Sequence, residues 1–325
     1  MRSVLALLLL ITLGCGKKPK AHEDAGVGSA PVSGSAGSGS SSVQVATAFD
    51  TQCVAGNFEA CRNLGVLHSE GVGVPKDLRK AAALFAQACS GGLLAGCNHL
   101  GLMLAEGLGV DKDPIQASTV FGKACDGGHG LACKNLGLML RDGRGVAKDL
   151  AKAEAALDKA CTSGTPFACT NAGDLDRQNA IALEDEAGKT AAFKKMREHY
   201  QRGCDGKDAT GCRQLGVAYL EGAGLPKTAA AAAVWLARAC KGEDAIGCRL
   251  LGMMQVDGVG VPRDRDAGLR SLTHACEKKD AEACKAVAVV SGSGSGSAGS
   301  GSGSGSASGS NAPRDGSATR AGSSS

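Results

Sequence analysis

The chain has 325 residues, a net charge of +4 and fifteen cysteines, and only 3% of its residues are aromatic. We expect no nucleic-acid partner, because the charge is mild and single strands are usually bound on aromatic side chains that stack with the bases.

The chain begins with a segment typical of bacterial export. Arg2 precedes the run VLALLLLITLGC, whose apolar part is too short to span a bilayer and suits the core of a signal peptide. The ending TLGC resembles the lipobox of bacterial lipoproteins, although Thr12 departs from the usual leucine. We expect a signal peptide over 1–14 and a lipid on Cys15, with an ordinary signal peptide as the alternative. The mature chain is then anchored in the bacterial cell envelope, at the periplasm or outer membrane, where paired cysteines become disulfides.

Composition divides the remainder into three parts. Residues 15–42 and 291–325 are rich in Gly and Ser, bury little apolar surface, and are predicted to be a flexible tether and a disordered tail. The folded part is therefore predicted over 43–290.

Fourteen cysteines in that part form pairs with one spacing. The first members lie 36 residues apart, except for one interval of 43. A fixed period of this size indicates stacked structural repeats. The pairs are Cys53 with Cys61, Cys89 with Cys97, Cys125 with Cys133, Cys161 with Cys169, Cys204 with Cys212, Cys240 with Cys248, and Cys276 with Cys284.

Each period predicts two helices. In the period that starts at Cys97, apolar residues recur at helical spacing, and Gly107 and Gly109 then end the first helix. Asp113 is a predicted N-cap, and Pro114 occupies the first helical position, where its missing N–H costs nothing. Equivalent caps are predicted at Asp77, Asp149, Thr228 and Asp264.

The spacing also predicts how the cysteines pair. On one continuous helix, Cys125 and Cys133 would lie about 12 Å apart, whereas a disulfide needs Cα atoms roughly 4.4–6.8 Å apart. The chain must therefore reverse at the glycines between them, so each bridge joins one helix to the next. Cysteines of neighbouring repeats are too distant to pair, and zinc sites use closer ligand pairs, so neither a metal nor another cofactor is expected.

The segments CRNLGVLHSEGVGVPKDLRKAAALFAQAC (61–89) and CRLLGMMQVDGVGVPRDRDAGLRSLTHAC (248–276) resemble the Sel-one-like repeat, a relative of the tetratricopeptide repeat. A cysteine pair in each 36-residue repeat is similar to the cysteine-rich bacterial Hcp-type subgroup. The resemblance implies an all-α fold, a right-handed α–α superhelix that serves as a binding scaffold. Some cysteine-rich members have been described as penicillin-binding proteins or weak β-lactamases.

One repeat is irregular. The interval between Cys169 and Cys204 is seven residues longer than its equivalents and lacks the Gly-x-Gly turn. The sequence allows either lengthened helices or an inserted turn.

No catalytic residue is predicted. The chain lacks the Ser-x-x-Lys and Lys-Thr-Gly motifs of serine β-lactamases, and its histidines form no metal-binding motif. A β-lactamase-type hydrolase remains the alternative to a scaffold. The histidines are His22, His68, His99, His129, His199 and His274.

Stacked repeats should align equivalent residues in columns. Two such columns are seven residues apart on the first helices, which places them on one face, with an apolar strip between them. Either column could hold the repeats together or contact a partner, which we expect to be a protein or peptide of basic character. The amide column is Asn63, His99, Asn135, Asn171 and Gln214, interrupted by Leu250, and the acidic column is Glu70, Glu106, Asp142, Glu221 and Asp257.

Overall fold

The computed structural model describes residues 39–292, which contain fourteen helices and no strand. The predicted signal peptide, Cys15 and most of the predicted tether and tail lie outside this range. In chain order the helices are α1 Gly39–Val54, α2 Phe58–Glu70, α3 Leu78–Ser90, α4 Leu94–Glu106, α5 Pro114–Asp126, α6 Gly130–Asp142, α7 Leu150–Thr162, α8 Pro166–Ala182, α9 Glu186–Asp205, α10 Ala209–Glu221, α11 Ala229–Lys241, α12 Ala245–Asp257, α13 Arg265–Glu277 and α14 Ala281–Gly292.

The helices form six repeats, each with a first and a second helix, from α2/α3 to α12/α13. They pack mainly against their neighbours along the chain, as in a solenoid. Helix α1 corresponds to a second helix and α14 to a first helix. The helical region begins at Gly39 and ends at Gly292, slightly outside the predicted boundaries of 43 and 290. None of the helices within 39–292 is long and apolar enough to cross a membrane.

Helix ends follow the turn chemistry of the sequence. Gly107 ends α4 in the left-handed conformation (φ +74°), with its N–H bonded to the Met103 carbonyl. Asp113 accepts a hydrogen bond from the Gln116 N–H at the start of α5, and Asp77, Asp149 and Asp264 cap their helices in the same way. Thr228 is the exception. It occupies the N-cap position of α11, but its hydroxyl donates to the Pro226 carbonyl and caps no helical N–H.

The second glycine of each Gly-x-Gly turn lets adjacent repeats approach closely. A Cβ on Gly109 (φ +72°) would lie 2.2 Å from the Leu78 carbonyl oxygen of the preceding repeat. On Gly145 it would lie 2.3 Å from the backbone of Pro114, and on Gly260 2.3 Å from that of Ala229. These turns therefore pack directly on the first residues of the previous second helix, where no side chain fits, whereas Gly224 faces the Phe193 side chain in the middle of α9.

The core lies between the first and second helices. One position of the second helices supplies a large core side chain in each of the six repeats, and all six are at most 3% exposed. A small residue faces them from the first helix; a Cβ on Gly65, for example, would lie 2.7 Å from the Phe85 ring. The side chains at this position are Phe85, Phe121, Leu157, Tyr200, Leu236 and Leu272.

Each cysteine pair forms a disulfide. The seven bridges join residues eight apart, and their Cα atoms are 4.4–4.7 Å apart. Cys125 lies near the end of α5 and Cys133 in the first turn of α6. Between them the chain reverses at Gly128 (φ +93°), so the bridge fastens one repeat to the next.

The other six bridges have the pairing that the spacing predicted, and none joins cysteines of different pairs. Each bridge connects the end of one helix to the start of the helix that follows it. In chain order, Cys53 is bonded to Cys61, Cys89 to Cys97, Cys161 to Cys169, Cys204 to Cys212, Cys240 to Cys248, and Cys276 to Cys284.

The irregular fourth repeat has lengthened helices. Helices α8 and α9 contain 17 and 20 residues, whereas the other first and second helices of the six repeats contain 13. Only Leu183–Asp185 connects them, so the extra residues extend the helix pair in place of the Gly-x-Gly turn.

Candidate functional site

The candidate site is the exposed side of the first helices, which we call the first-helix face. The amide and acidic columns both lie on it because their residues are separated by two helical turns. Four of the five members of the strip between them are partly exposed, and Val217 is buried. Asp174 occupies this strip position in the fourth repeat and interrupts it. The strip residues are Val66, Leu102, Leu138, Val217 and Met253.

Most of the amide column is engaged within the protein. Asn135 donates to the Asn98 side chain at 2.9 Å, and Gln214 donates to Asp174 at 3.1 Å, so both link neighbouring repeats. Asn171 donates to the Phe167 carbonyl of its own helix at 2.8 Å. The His99 ring stacks on Phe85 with 4.7 Å between ring centroids.

The acidic column is the more accessible of the two. Glu221 pairs with Arg177 of the preceding repeat, and Asp142 pairs with Arg141 at 2.7 Å. Glu70, Glu106 and Asp257 are exposed and take part in none of the ion pairs found among the described residues.

A column of cations, which our sequence analysis missed, lies beside the acidic column. Each cation packs over the left-handed glycine that ends a first helix; a Cβ on Gly71, for example, would lie 3.2 Å from the Lys76 Cβ. Their charge offsets the carboxylates and suits the negative end of the helix macrodipole. The sequence signal for this column is a Lys or Arg six residues after each member of the acidic column. The column is Lys76, Lys112, Lys148, Lys227 and Arg263.

The lengthened fourth repeat contains a buried charge network. His199 of α9 lies between Asp176 of α8, 2.6 Å from its Nδ1, and Asp158 of α7, 2.9 Å from its Nε2. Burial alone would lower the pKa of His199, but hydrogen bonds to Asp158 and Asp176 outweigh it and raise the pKa to about 9. Burial raises the pKa of Asp176. This network joins three helices, and its place outside the regular pattern explains why repeat comparison did not find it.

We expect alkali to weaken this network. The His199 pKa is above its unfolded value of 6.5, so its stabilisation is fully present below pH 6.5 and is lost as the pH rises through 9. The loss is at most about 3 kcal/mol. Urea unfolding at pH 7 and pH 10 should show a larger fall in unfolding free energy for the wild type than for His199→Gln. Equal falls would show that the imidazolium contributes nothing.

The described histidines have structural environments. His68 Nδ1 lies 3.3 Å from the Pro75 carbonyl oxygen, and His129 accepts from the Ala132 N–H as an N-cap. His274 lies 3.8 Å from Glu243. Within residues 39–292, no group of three or more His, Cys, Asp or Glu side chains could hold a metal ion.

Stacked helix pairs, Gly-x-Gly turns and aligned columns define a helical repeat protein. Residues 58–93, 94–129, 130–164, 209–244 and 245–278, more than half of the chain, match the Sel1 repeat. The chain therefore belongs to the Sel1 repeat family. The matches leave out residues 165–208, which contain the lengthened helices.

Solved structures that match parts of this chain come from several bacteria. A protective antigen of uropathogenic Escherichia coli, with an SLR fold, gives a TM-score of 0.63 at 24% identity; the match covers 76% of this chain and about half (52%) of that protein. A Sel1 repeat protein from Oxalobacter formigenes gives a TM-score of 0.57 at 22% identity, and the match covers 67% of this chain and 85% of that protein. Helicobacter pylori cysteine rich protein B gives a TM-score of 0.33 at 27% identity, and the match covers 43% of this chain and 95% of that protein. No curated protein matches the sequence.

Proposed function

We propose that this chain is a scaffold of the bacterial cell envelope that holds a protein or peptide along its first-helix face. The observation that carries this proposal is the acidic column, in which Glu70, Glu106 and Asp257 recur at equivalent positions and remain exposed. Carboxylates near a helix C-terminus are locally unfavourable. The neighbouring cations lower this cost, but none of them forms an ion pair with Glu70, Glu106 or Asp257 among the described residues, so the recurrence of these carboxylates favours a role outside the helix.

The column also suggests the chemistry of the partner. Regularly spaced carboxylates favour a ligand that carries Lys or Arg, and this attraction weakens as salt screens exposed charges. The amide of Asn63 lies on the same face, where it can bond to the backbone of an extended peptide. Recognition of this kind tolerates variation in the partner's sequence.

Capture of partners from envelope extract by the full chain tests this proposal. We expect Asn63→Ala/Asn135→Ala and Glu70→Gln/Glu106→Gln to capture less of the same partners, and added salt to release them. Gln116→Ala/Thr119→Ala, on the exposed side of a second helix, is the matched control. Thermal unfolding should accompany each variant, because Asn135 also bonds to Asn98. Equal capture by every variant would mean that the columns are structural.

Envelope anchoring is part of the same proposal. Seven disulfides within residues 53–284 suit an oxidising compartment, and Cys15 follows a segment typical of lipoprotein export. We expect labelled palmitate to enter the wild-type chain and not Cys15→Ala. Labelling that persists in the variant would contradict a lipid on this residue.

A further inference from the structure

A recurring polar bond links the later repeats. Arg213 Nε lies 3.1 Å from Asp244, and Arg249 Nε lies 3.0 Å from Asp280. Each arginine directly follows the second cysteine of its repeat, and each aspartate directly precedes the next first helix. In both cases a carboxylate of the next repeat therefore neutralises the charge of the arginine.

Arg62 occupies the same position in the first repeat, but Leu93 replaces the aspartate. Its Nε is buried and has no hydrogen-bond partner among the described residues. A terminal nitrogen of Arg62 reaches Glu59 of the same helix at 3.1 Å, and that carboxylate is 57% exposed. Arg62 directly precedes Asn63 of the amide column, and its only ion-pair partner among the described residues is a solvated carboxylate; such exposed pairs are weak.

His99, in the first helix of the next repeat, is close enough to Arg62 for the charge of that arginine to act on its ring. Its ring is held against Phe85. Burial, together with the charges of Arg62 and His129, lowers the pKa of His99 to about 4. Arg62 is the permanently charged group that acts on His99, so its contribution to the potential at the ring is positive, whereas the acidic column lies two helical turns away. A negatively charged group is therefore favoured here and opposed further along the helices.

We propose that Arg62 and His99 bind a carboxylate of the partner, supplied by its C-terminus or by an Asp or Glu side chain. This inference rests on the proposed function and adds to it the orientation of the bound partner along the first-helix face. The partner's carboxylate displaces that of Glu59 from the terminal nitrogens of Arg62. The planar guanidinium of arginine can donate two parallel hydrogen bonds to a carboxylate. The anion also favours protonation of His99, which then donates a second hydrogen bond. Basic residues of the same partner would lie toward the acidic column.

Small peptides test this site on the full chain. The probes are acetyl-Ala-Ala with a free carboxylate, acetyl-Glu-Ala-amide, and acetyl-Ala-Ala-amide, which has no charge. NMR of the labelled histidines should show saturable shifts of His99 and a higher His99 pKa with at least one carboxylate probe, and neither effect with the uncharged amide. The responding probe identifies whether a terminal or a side-chain carboxylate is preferred.

Four variants sharpen the result. Arg62→Gln should weaken binding at least tenfold, and Glu59→Gln should strengthen it severalfold because the competing carboxylate is lost. Arg249→Gln, at the equivalent position with its own aspartate, should bind like the wild type. Arg62→Lys, which keeps the charge, controls for folding and should retain part of the affinity.

Several outcomes would overturn the site. The first is that the His99 resonance does not shift with either carboxylate probe. The second is that it shifts equally with the uncharged amide, and the third is that its shift is unchanged in Arg62→Gln. The probes need neither Asn135 nor the acidic column, so the two proposals fail separately. If the probes bind but the column variants capture partners as the wild type does, only the proposed function is contradicted. If the column variants lose partners but the probes do not bind, only this site is contradicted.

Discussion

Reduction of the seven disulfides is expected to unfold the solenoid near physiological temperature. Each bridge closes a nine-residue ring, which on the chain-entropy account stabilises the fold by about 2.6 kcal/mol. Even if these contributions are only partly additive, their sum rivals the 5–15 kcal/mol that typically stabilises a whole domain. The effect should be large here because each repeat has a small core and depends on its neighbours.

Thermal unfolding followed by circular dichroism, with and without a phosphine reductant, measures this effect. The oxidised chain should unfold at a much higher temperature than the reduced chain. Cys125→Ala/Cys133→Ala, which removes one bridge, should lose roughly 2–4 kcal/mol and remain folded. Equal melting temperatures for oxidised and reduced protein would mean that the packing alone is sufficient.

Gly109→Ala is expected to destabilise the fold far more than Gly128→Ala. Both residues have a positive φ, so either substitution costs about 1–2 kcal/mol of backbone strain. At Gly109 the new methyl group would also lie 2.2 Å from the Leu78 carbonyl oxygen, whereas at Gly128 it meets nothing within 4 Å. Separation of the two repeats should add roughly 1–3 kcal/mol at Gly109.

Urea unfolding of both variants isolates the contribution of close packing, because the backbone strain is shared. We expect Gly109→Ala to lose about 2–5 kcal/mol in total and Gly128→Ala about 1–2 kcal/mol. Equal losses would indicate that the turn can move away from the preceding helix at no cost.

The regular part of this fold was predictable because one period constrains every repeat. The Gly-x-Gly turns, the predicted aspartate caps and the helix pairs follow from local chemistry repeated along the chain. Thr228 failed as a side-chain cap because its hydroxyl donates to the nearby Pro226 carbonyl. The fourth repeat could not be derived, because lengthened helices and an inserted turn are equally compatible with seven additional residues.

The candidate site was predictable in position but not in contacts. Helical periodicity placed both columns on one face. Which amides bond inward depends on the offset between neighbouring helices, as the Asn135–Asn98 bond shows, and a single sequence does not specify that offset. The buried His199–Asp176 pair belongs to no column, so comparison of repeats could not find it.

Site-specific photo-crosslinking tests the central claim most directly. A benzophenone side chain can replace Glu106 on the first-helix face or Thr119 on the exposed side of the second helix in the same repeat. In envelope extract, crosslinks to a partner should form from position 106, diminish with added salt, and be absent from position 119. Crosslinks that form only from position 119, or equally from both, would contradict binding along the first-helix face.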